Sequence, residues 1–405
     1  MILRGKILYR GEILEAGIEF DERILRVSKE LSGKAVRGII LPAAIDVHVH
    51  FRDFREKHKE TIESGSLSAL HGGICLAIDQ PNCKPAITDE EAYFERVKKA
   101  EKKSHVDYAL NLGLTEENSG KIEGIISKIC ERGYFLPAIG EVFLQHDSMQ
   151  VSYDTLEKVK DVYRLSLHAE DAELIACNEV PNFKCRPPEA EIEAVKKCVK
   201  IGSFHFCHVS TIDALNVIAA TDSSSEVTPH HLLLSTEDSE RLNGFVNVNP
   251  PLRSKENVLA MLENIDLADV IASDHAPHTP EEKKDGMSGF PGVETLYPLM
   301  LNLVRKGAIG LKTVVERLST NPALIFSLRG YGGIEVGNYA NLAVFDFSKV
   351  EKIKAEKLHS LAGWTPYEGF EAVFPTNVFI RGVEAISDGE VLVEPGFGEV
   401  LRSKN

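Results

Sequence analysis

Short apolar runs recur along this chain, spaced so that most are separated by a stretch of helical length. Eight lie in its middle: Ile39–Ile45, Ile74–Asp79, Val106–Gly113, Phe135–Glu141, Leu165–His168, Phe204–His208, Val227–His230 and Val270–Asp274. Between them Asp89–Lys103, Gly120–Arg132 and Pro188–Lys200 mix apolar and charged residues over helical lengths. Strand and helix alternating in this way predict βαβ units and a parallel sheet. Eight such units predict a closed (β/α)8 TIM-type barrel. Two further helices are expected after the eighth strand, at Pro291–Arg305 and Leu311–Ser319.

The two ends read differently. Ile2–Tyr9, Ile13–Phe20 and Ile24–Ser28 are strand-like and show no helical period. Ala343–Phe347, Val373–Ile380 and Val391–Val393 repeat that character near the other end. Because the two ends of a domain often lie close together, these segments are expected to form one small β-rich module from residues 1–40 and 334–405. The barrel then occupies 41–333.

Composition narrows this picture without changing it. The 405 residues carry 46 Lys and Arg against 61 Asp and Glu, a formal net charge of −15. An acidic chain lacks the phosphate-neutralising surface that a general nucleic-acid binder needs. No run reaches the ~20 apolar residues that span a bilayer, so no membrane partner is expected. The first residues, Met1 to Lys6, turn charged too early for a secretory signal. Seven cysteines, at positions 75, 83, 130, 177, 185, 198 and 207, form no CxxC pair. A disulfide framework is not expected, and a reducing, cytoplasmic location is.

The chemistry lies in where metal-type side chains fall. His48 and His50 close the first run, Glu141 the fourth, His168 the fifth, His208 the sixth and Asp274 the eighth. In a barrel these strand ends meet on one face, where active sites are built. Residues two apart on an extended segment point the same way, so His48 and His50 can reach one ion. Four histidines and two carboxylates exceed one tetrahedral site, but suit two Zn2+ sharing a bridging carboxylate. Arg52, two residues past His50, suits a substrate carboxylate because a guanidinium forks it with paired, charge-assisted bonds.

The stretch Ile45-Asp46-Val47-His48-Val49-His50-Phe51-Arg52-Asp53 resembles the start of the barrel in amidohydrolases of the dihydroorotase type, and Ser273-Asp274-His275-Ala276-Pro277-His278 is similar to their last strand. Leu167–Asp171, Cys207–Thr211, Thr228–Leu232, Asn249–Arg253 and Ser288–Thr295 follow in the family's order. The HxH pattern alone is shared by all amidohydrolases; His-Phe-Arg-Asp together with Ser-Asp-His-Ala-Pro-His is particular to dihydroorotases. The resemblance implies reversible hydrolysis of L-dihydroorotate to N-carbamoyl-L-aspartate, the third step of pyrimidine synthesis, by a metal-activated hydroxide with an aspartate proton shuttle.

The resemblance also implies roles. His48 and His50 would bind one metal, His168 and His208 the other, with Glu141 between them; one to two Zn2+ per chain are expected. Asp274 would touch the metal and carry the proton. Asn82, Asn249 and His278 would contact substrate, and the backbone of Phe290 and Pro291 would read the ring amides. Many relatives hold a carbamylated lysine at the bridge. Here no lysine occurs between Phe135 and Lys158, so Glu141 takes that place, with Asp147 as the alternative. Phe54-Arg55 replaces the usual Pro-Gly after Asp53, and a loop of different shape is expected. The roles of His230 and His231 stay open between substrate contact, further ligand and structural residue. The Gly-rich stretch Asp285–Pro291 reads as a loop over the mouth that could close as a lid. The expected partner is the small-molecule substrate, with a homodimer or a complex with aspartate carbamoyltransferase as further assemblies. A hydantoinase or allantoinase is the alternative activity, and a catalytically silent scaffold for the transferase the alternative class.

Overall fold

The computed structural model describes residues 1–145, 148–176 and 180–403. The chain opens with four strands, β1 (Ile2–Tyr9), β2 (Glu12–Phe20), β3 (Ile24–Ser28) and β4 (Lys34–Pro42). Eight parallel strands follow: β5 (Ala44–Val49), β6 (Ile74–Asp79), β7 (Asp107–Leu110), β8 (Ile139–Phe143), β9 (Leu165–His168), β10 (His205–Phe206), β11 (Ser224–Val227) and β12 (Val270–Ile271). They form arcs of three and five strands. Parallel bridges from Leu112 to Ile139 and from Val49 to His275 join both seams and close the barrel. Strands β5 to β9 are buried along their whole length, as befits parallel strands covered on both faces.

Helices return the chain between strands: α1 (Ile62–His71), α2 (Glu90–Lys103), α3 (Ile122–Glu131), α4 (Tyr153–Val159), α5 (Pro188–Ile201) and α6 (Ile212–Ala219). Their starts are dictated locally. Asp89 accepts the Ala92 N–H at the head of α2, Thr61 and Ser64 form a capping box on α1, and Pro188 opens α5. Tyr93, Phe94, Val97 and Ala100 lie on one face of α2 and are buried against the barrel, which is the 3.6-residue period at work. Short helices α7 (Pro229–Leu233), α8 (Lys255–Glu263) and α9 (Pro280–Lys284) precede α10 (Leu296–Arg305).

Six strands follow: β13 (Leu342–Phe345), β14 (Glu351–Lys352), β15 (Glu371–Ala372), β16 (Pro375–Ile380), β17 (Val383–Ser387) and β18 (Glu390–Val391). One eight-stranded sheet runs β18-β17-β16-β13-β4-β1-β2-β3. The antiparallel pairing of β4 with β13, Ile40 opposite Val344, sews the early strands to the late ones. Leu3, Ile7, Ile18, Phe20, Leu342, Val344 and Phe379 form a core of this sheet separate from that of the barrel.

Several boundaries differ from the sequence reading. The first barrel strand begins at Ala44, because Ile39 to Pro42 belong to β4, which the pattern alone did not separate. The fourth run contributes a strand only from Ile139, and the seventh ends at Val227, where Thr228 caps α7. The late segment is not confined to its sheet: Val400 pairs with Tyr108 and Arg402 with Tyr134 at the barrel's edge. Cys75, Cys83, Cys130, Cys198 and Cys207 are free thiols, whereas Cys185 is disulfide-bonded, a bond that the expected reducing location did not anticipate. Among the described residues no helix is long and apolar enough to cross a membrane.

Candidate active site

The strand ends bring the predicted donors together. His48 lies in β5, Glu141 in β8 and His168 ends β9; His50, His208 and Asp274 sit in the turns just past β5, β10 and β12. All six are at least nine-tenths buried. The turns are tight. Arg52, His208 and Asp274 have φ of 39°, 35° and 45°, a left-handed backbone that side-chain-bearing residues rarely adopt. Such strain persists only where surrounding structure over-determines it, and it clusters at functional sites.

Glu141 is the hub. Its Oε1 lies 2.8 Å from His168 Nδ1 and 2.7 Å from His208 Nε2. Its Oε2 lies 3.5 Å from His48 Nε2 and 4.0 Å from His50 Nε2. Asp274 Oδ1 stands 3.1 Å from His50 Nε2 and 3.6 Å from His48 Nε2. Asp147, the other bridge considered, lies outside the described residues.

Behind these groups stands a layer that sets ring orientation. His48 donates from Nδ1 to Glu226 at 2.5 Å, His50 from Nδ1 to Asn82 Oδ1 at 2.7 Å, and His168 from Nε2 to Glu170 at 2.7 Å. Each bond fixes a tautomer whose other nitrogen presents its lone pair to the centre. Glu170 is itself held by Arg186, whose Nε lies 3.2 Å away. Asp46 receives the N–H groups of His48 and Ser273 at 3.2 and 3.1 Å, and burial pushes its carboxyl up to about 6.

This arrangement fits a metal. His48 Nε2 is buried without a hydrogen-bond partner, and two more imidazole nitrogens face one carboxylate. Burial works to raise Glu141, yet its contacts with His168, His208 and His48 hold it well below the usual carboxylate range. Burial works to lower His168, yet Glu141 and Glu170 raise it to about 9. The centre therefore demands positive charge, which protons or cations at these nitrogens would supply. The donor atoms of His48, His50 and Asp274 lie within 4.8 Å of one another, as do those of His48, Glu141 and His208. His48, Cys207 and Glu226 form a third group of the same span. Sequence reasoning passed over Cys207 and Glu226. Cys207 precedes His208, but Glu226 lies on a strand with no ligand pattern around it.

Above the donors opens a cavity of ≈ 550 Å3 lined by His50, Arg52, Asn82, Glu141, His168, His208, Asn249, Asp274 and His278, with Lys59, Arg186 and the Gly286–Gly289 loop. Arg52 Nη2 is 3.4 Å from His278 Nε2, and Lys59 Nζ is 3.4 Å from His278 Nδ1. Burial, with the charges of Arg52 and Lys59, pushes His278 far below the ordinary histidine range, so it stays neutral. Asn249 accepts from Asn182 Nδ2 at 2.7 Å, which leaves its own NH2 as a donor. Phe290 and Pro291 are not among the lining residues; the Phe290 ring packs edge-on to His230 and Trp364. His231 bonds Thr228 Oγ1 at 2.9 Å and the Pro250 carbonyl at 3.1 Å, whereas both nitrogens of buried His230 lack partners. After Asp53, the loop without Pro-Gly makes its turn with Asp53 and Phe54 at φ of 61° and 47°.

A closed barrel with histidines and carboxylates at its strand ends defines a metal-dependent hydrolase of the barrel type. Residues 39–384 match the model of the amidohydrolase family, and the chain belongs to that family. It is 56% identical to the dihydroorotase of Archaeoglobus fulgidus over the full length of both chains, and 39% identical to that of Pyrococcus abyssi over 98% of this chain and 97% of that one. Its place within the family is therefore among the dihydroorotases. Among solved structures it is similar to L-hydantoinase from Arthrobacter aurescens (TM-score 0.89, 26% identity, 98% of each chain). D-hydantoinase from Thermus sp. (TM-score 0.88, 24% identity, 99% of this chain and 98% of that one) shares the fold.

Proposed function

We propose that this dihydroorotase opens and closes its substrate ring in the 550 Å3 cavity, with the ring amide over the donor cluster and the ring carboxylate on Arg52 and Asn82. The observation that carries this reading is the presence of both parts in one cavity. A guanidinium and an amide stand beside the metal-type donors, and His50 ties the two by its bond to Asn82. A hydantoin ring carries no carboxylate and has no use for that pair, so the hydantoinase alternative is the weaker reading despite the shared fold.

We assign the donors to Zn2+, one to two ions per chain, because imidazole and carboxylate in small numbers suit it. His48 and His50 would hold one ion and His168 and His208 another, with Glu141 shared and Asp274 alongside. When bound, the metal supplies a hydroxide nucleophile at neutral pH and polarises the ring carbonyl.

The chain's own groups then do the rest. Arg52 and Asn82 orient the ring through its carboxylate. Asn249 and His278 complete the polar lining, His278 as a neutral ring. Burial works to raise Asp274, but its contact with His50 and the positive charge at His48 and His208 hold it below the ordinary carboxylate range. Ionised, it accepts the proton of the attacking hydroxide at a carboxylate oxygen. It returns that proton to the ring nitrogen as the amide C–N bond breaks. The reverse sequence closes the ring with loss of water.

The test is loss of L-dihydroorotate on mixing with purified, zinc-loaded protein, with Asp274→Ala as control. Turnover that disappears in the control supports both substrate and shuttle. Failure with dihydroorotate but turnover of hydantoin or allantoin transfers the assignment to those rings. Failure with all three in a metal-loaded sample would favour the silent scaffold.

A further inference from the structure

Lys283 lies in a run of charged residues, Glu281-Glu282-Lys283-Lys284, yet its side chain is wholly buried. Its Nζ donates to three backbone carbonyls: Asn247 at 2.6 Å, Met287 at 2.7 Å and Gly289 at 3.0 Å. An ammonium has three N–H donors, so all three are used. The ring centroids of Phe290 and Trp364 lie 5.2 and 5.6 Å from Nζ. Among the described residues no carboxylate pairs with it. Burial pushes the Lys283 ammonium down to about 7, and the three carbonyl dipoles and the two ring faces are what favour its charged form.

These three carbonyls belong to walls of the substrate cavity. Asn247 and Gly286–Gly289 line it, and Phe290 follows directly. The same segments are cross-tied: Gly289 N–H to the Asn247 carbonyl at 3.0 Å, Asn247 Nδ2 to the Gly286 carbonyl at 3.0 Å, and Met287 N–H to the Glu282 carbonyl at 3.1 Å. Gly289 has φ +137°, and a Cβ there would stand 2.4 Å from the Ala276 carbonyl, so this loop is pressed against the strand end that carries Asp274. Trp364, from beyond the barrel, seals the group by donating to the His278 carbonyl at 2.8 Å.

We propose that Lys283 is a positioning residue for substrate binding, whose ammonium holds the Gly286–Gly289 loop as a fixed wall of the cavity rather than as a lid. It touches no reacting atom. It draws the Met287 and Gly289 carbonyls inward, and so sets the shape of the loop that meets the substrate ring. Because the loop meets ground state and transition state alike, its loss falls on KM and spares kcat. The kinetic part of this proposal rests on the dihydroorotase reading; the loop-fixing part does not.

The experiment compares the zinc-loaded full chain with Lys283→Met, which keeps the length of the side chain but removes the donors. The expected result is a KM for L-dihydroorotate raised about tenfold or more with kcat within about threefold. Backbone hydrogen exchange across 286–290 should also speed up about tenfold or more, with the rest of the chain unchanged. An unchanged KM, a fall in kcat alone, or unchanged exchange across 286–290 would overturn it. Should Lys283→Met fail to fold, the unaltered protein decides. Slow exchange at Met287 and Gly289 that substrate leaves unchanged supports a fixed wall. Rapid exchange, or marked slowing when substrate binds, shows a closing lid and refutes the proposal. An unaltered protein without dihydroorotate turnover would sink the activity while leaving the exchange result legible.

Discussion

Truncating Arg52 to alanine tests the substrate assignment most directly. The side chain is 7% exposed, its Nε has no hydrogen-bond partner, and its Nη2 contact to neutral His278 is long at 3.4 Å. The guanidinium is thus buried and short of hydrogen bonds, with the Glu56 carboxylate, which its charge helps hold below the ordinary range, on the same cavity wall. A charge-assisted hydrogen bond contributes about 1.5–3 kcal/mol, and a carboxylate forked by Arg52 would receive two, about 3–6 kcal/mol in all. Asn82 and the nearby Lys59 would recover part of that. The lower half of the range is therefore expected: about 3–4 kcal/mol, or a 10²–10³-fold fall in kcat/KM at about 1.4 kcal/mol per decade. Arg52→Lys keeps the charge but loses the fork, and should fall between. The assay is steady-state hydrolysis of L-dihydroorotate, with metal content measured on each variant so that loss of the ion is not mistaken for loss of substrate binding. Arg52→Ala with unchanged metal content and kcat/KM within about threefold of the unaltered protein would refute the carboxylate role.

Four further outcomes are expected. Asp274→Asn should abolish turnover while the protein retains metal bound through its histidines; residual activity above about one part in a hundred would argue against the shuttle. Glu226→Gln should weaken metal binding about 10–100-fold in chelator competition, because His48 loses the carboxylate that orients it; an unchanged midpoint would show that bond to be dispensable. Chelator dialysis should remove activity and added Zn2+ restore it, with metal per chain counted by mass spectrometry; turnover that survives complete removal would contradict the assignment. Burial works to raise Asp53, but hydrogen bonds from Lys99 and from the Phe54 and Ile62 N–H groups, with the charge of Lys103, hold it below its ordinary value. A depressed carboxyl stabilises the fold above its unfolded value of about 4 and loses that contribution as pH falls through the folded value. Asp53→Asn should therefore be less stable at pH 7 in urea unfolding, and the gap should narrow below about pH 4; a gap independent of pH would exclude this linkage.

How far the sequence could be read depends on whether a feature is local. The mixture of apolar and charged residues over helical lengths placed α2 and α5 within a residue or two, and Asp89 and Pro188 start them by acting on their own turns. The β4–β5 boundary was missed because Ile39 to Ile45 is one apolar stretch, and only Pro42 pairing with Leu342 in another sheet divides it. The first-rank donors were legible because a barrel puts every strand end on one face. Their supports were not. Glu226 reaches His48 across 178 residues, and nothing near Glu226 in the chain marks it. Lys283 drew no reading from the sequence, because its three acceptors lie on segments that only the fold brings over it.

By itself the sequence determined the architecture and the chemical type of the site. Alternating periods specify strand and helix through local sterics, eight repeats leave a closed barrel as the way to bury both sheet faces, and histidines at strand ends need only that closure to converge. The tertiary structure alone decided that Glu141 faces three imidazole nitrogens, that Glu226, Asn82 and Glu170 set the tautomers of their histidines, and that a buried ammonium ties down one wall of the cavity. These are contacts of particular atoms between residues distant in the chain. No local rule encodes them, because burial and hydrogen-bond direction exist only once the strands have closed.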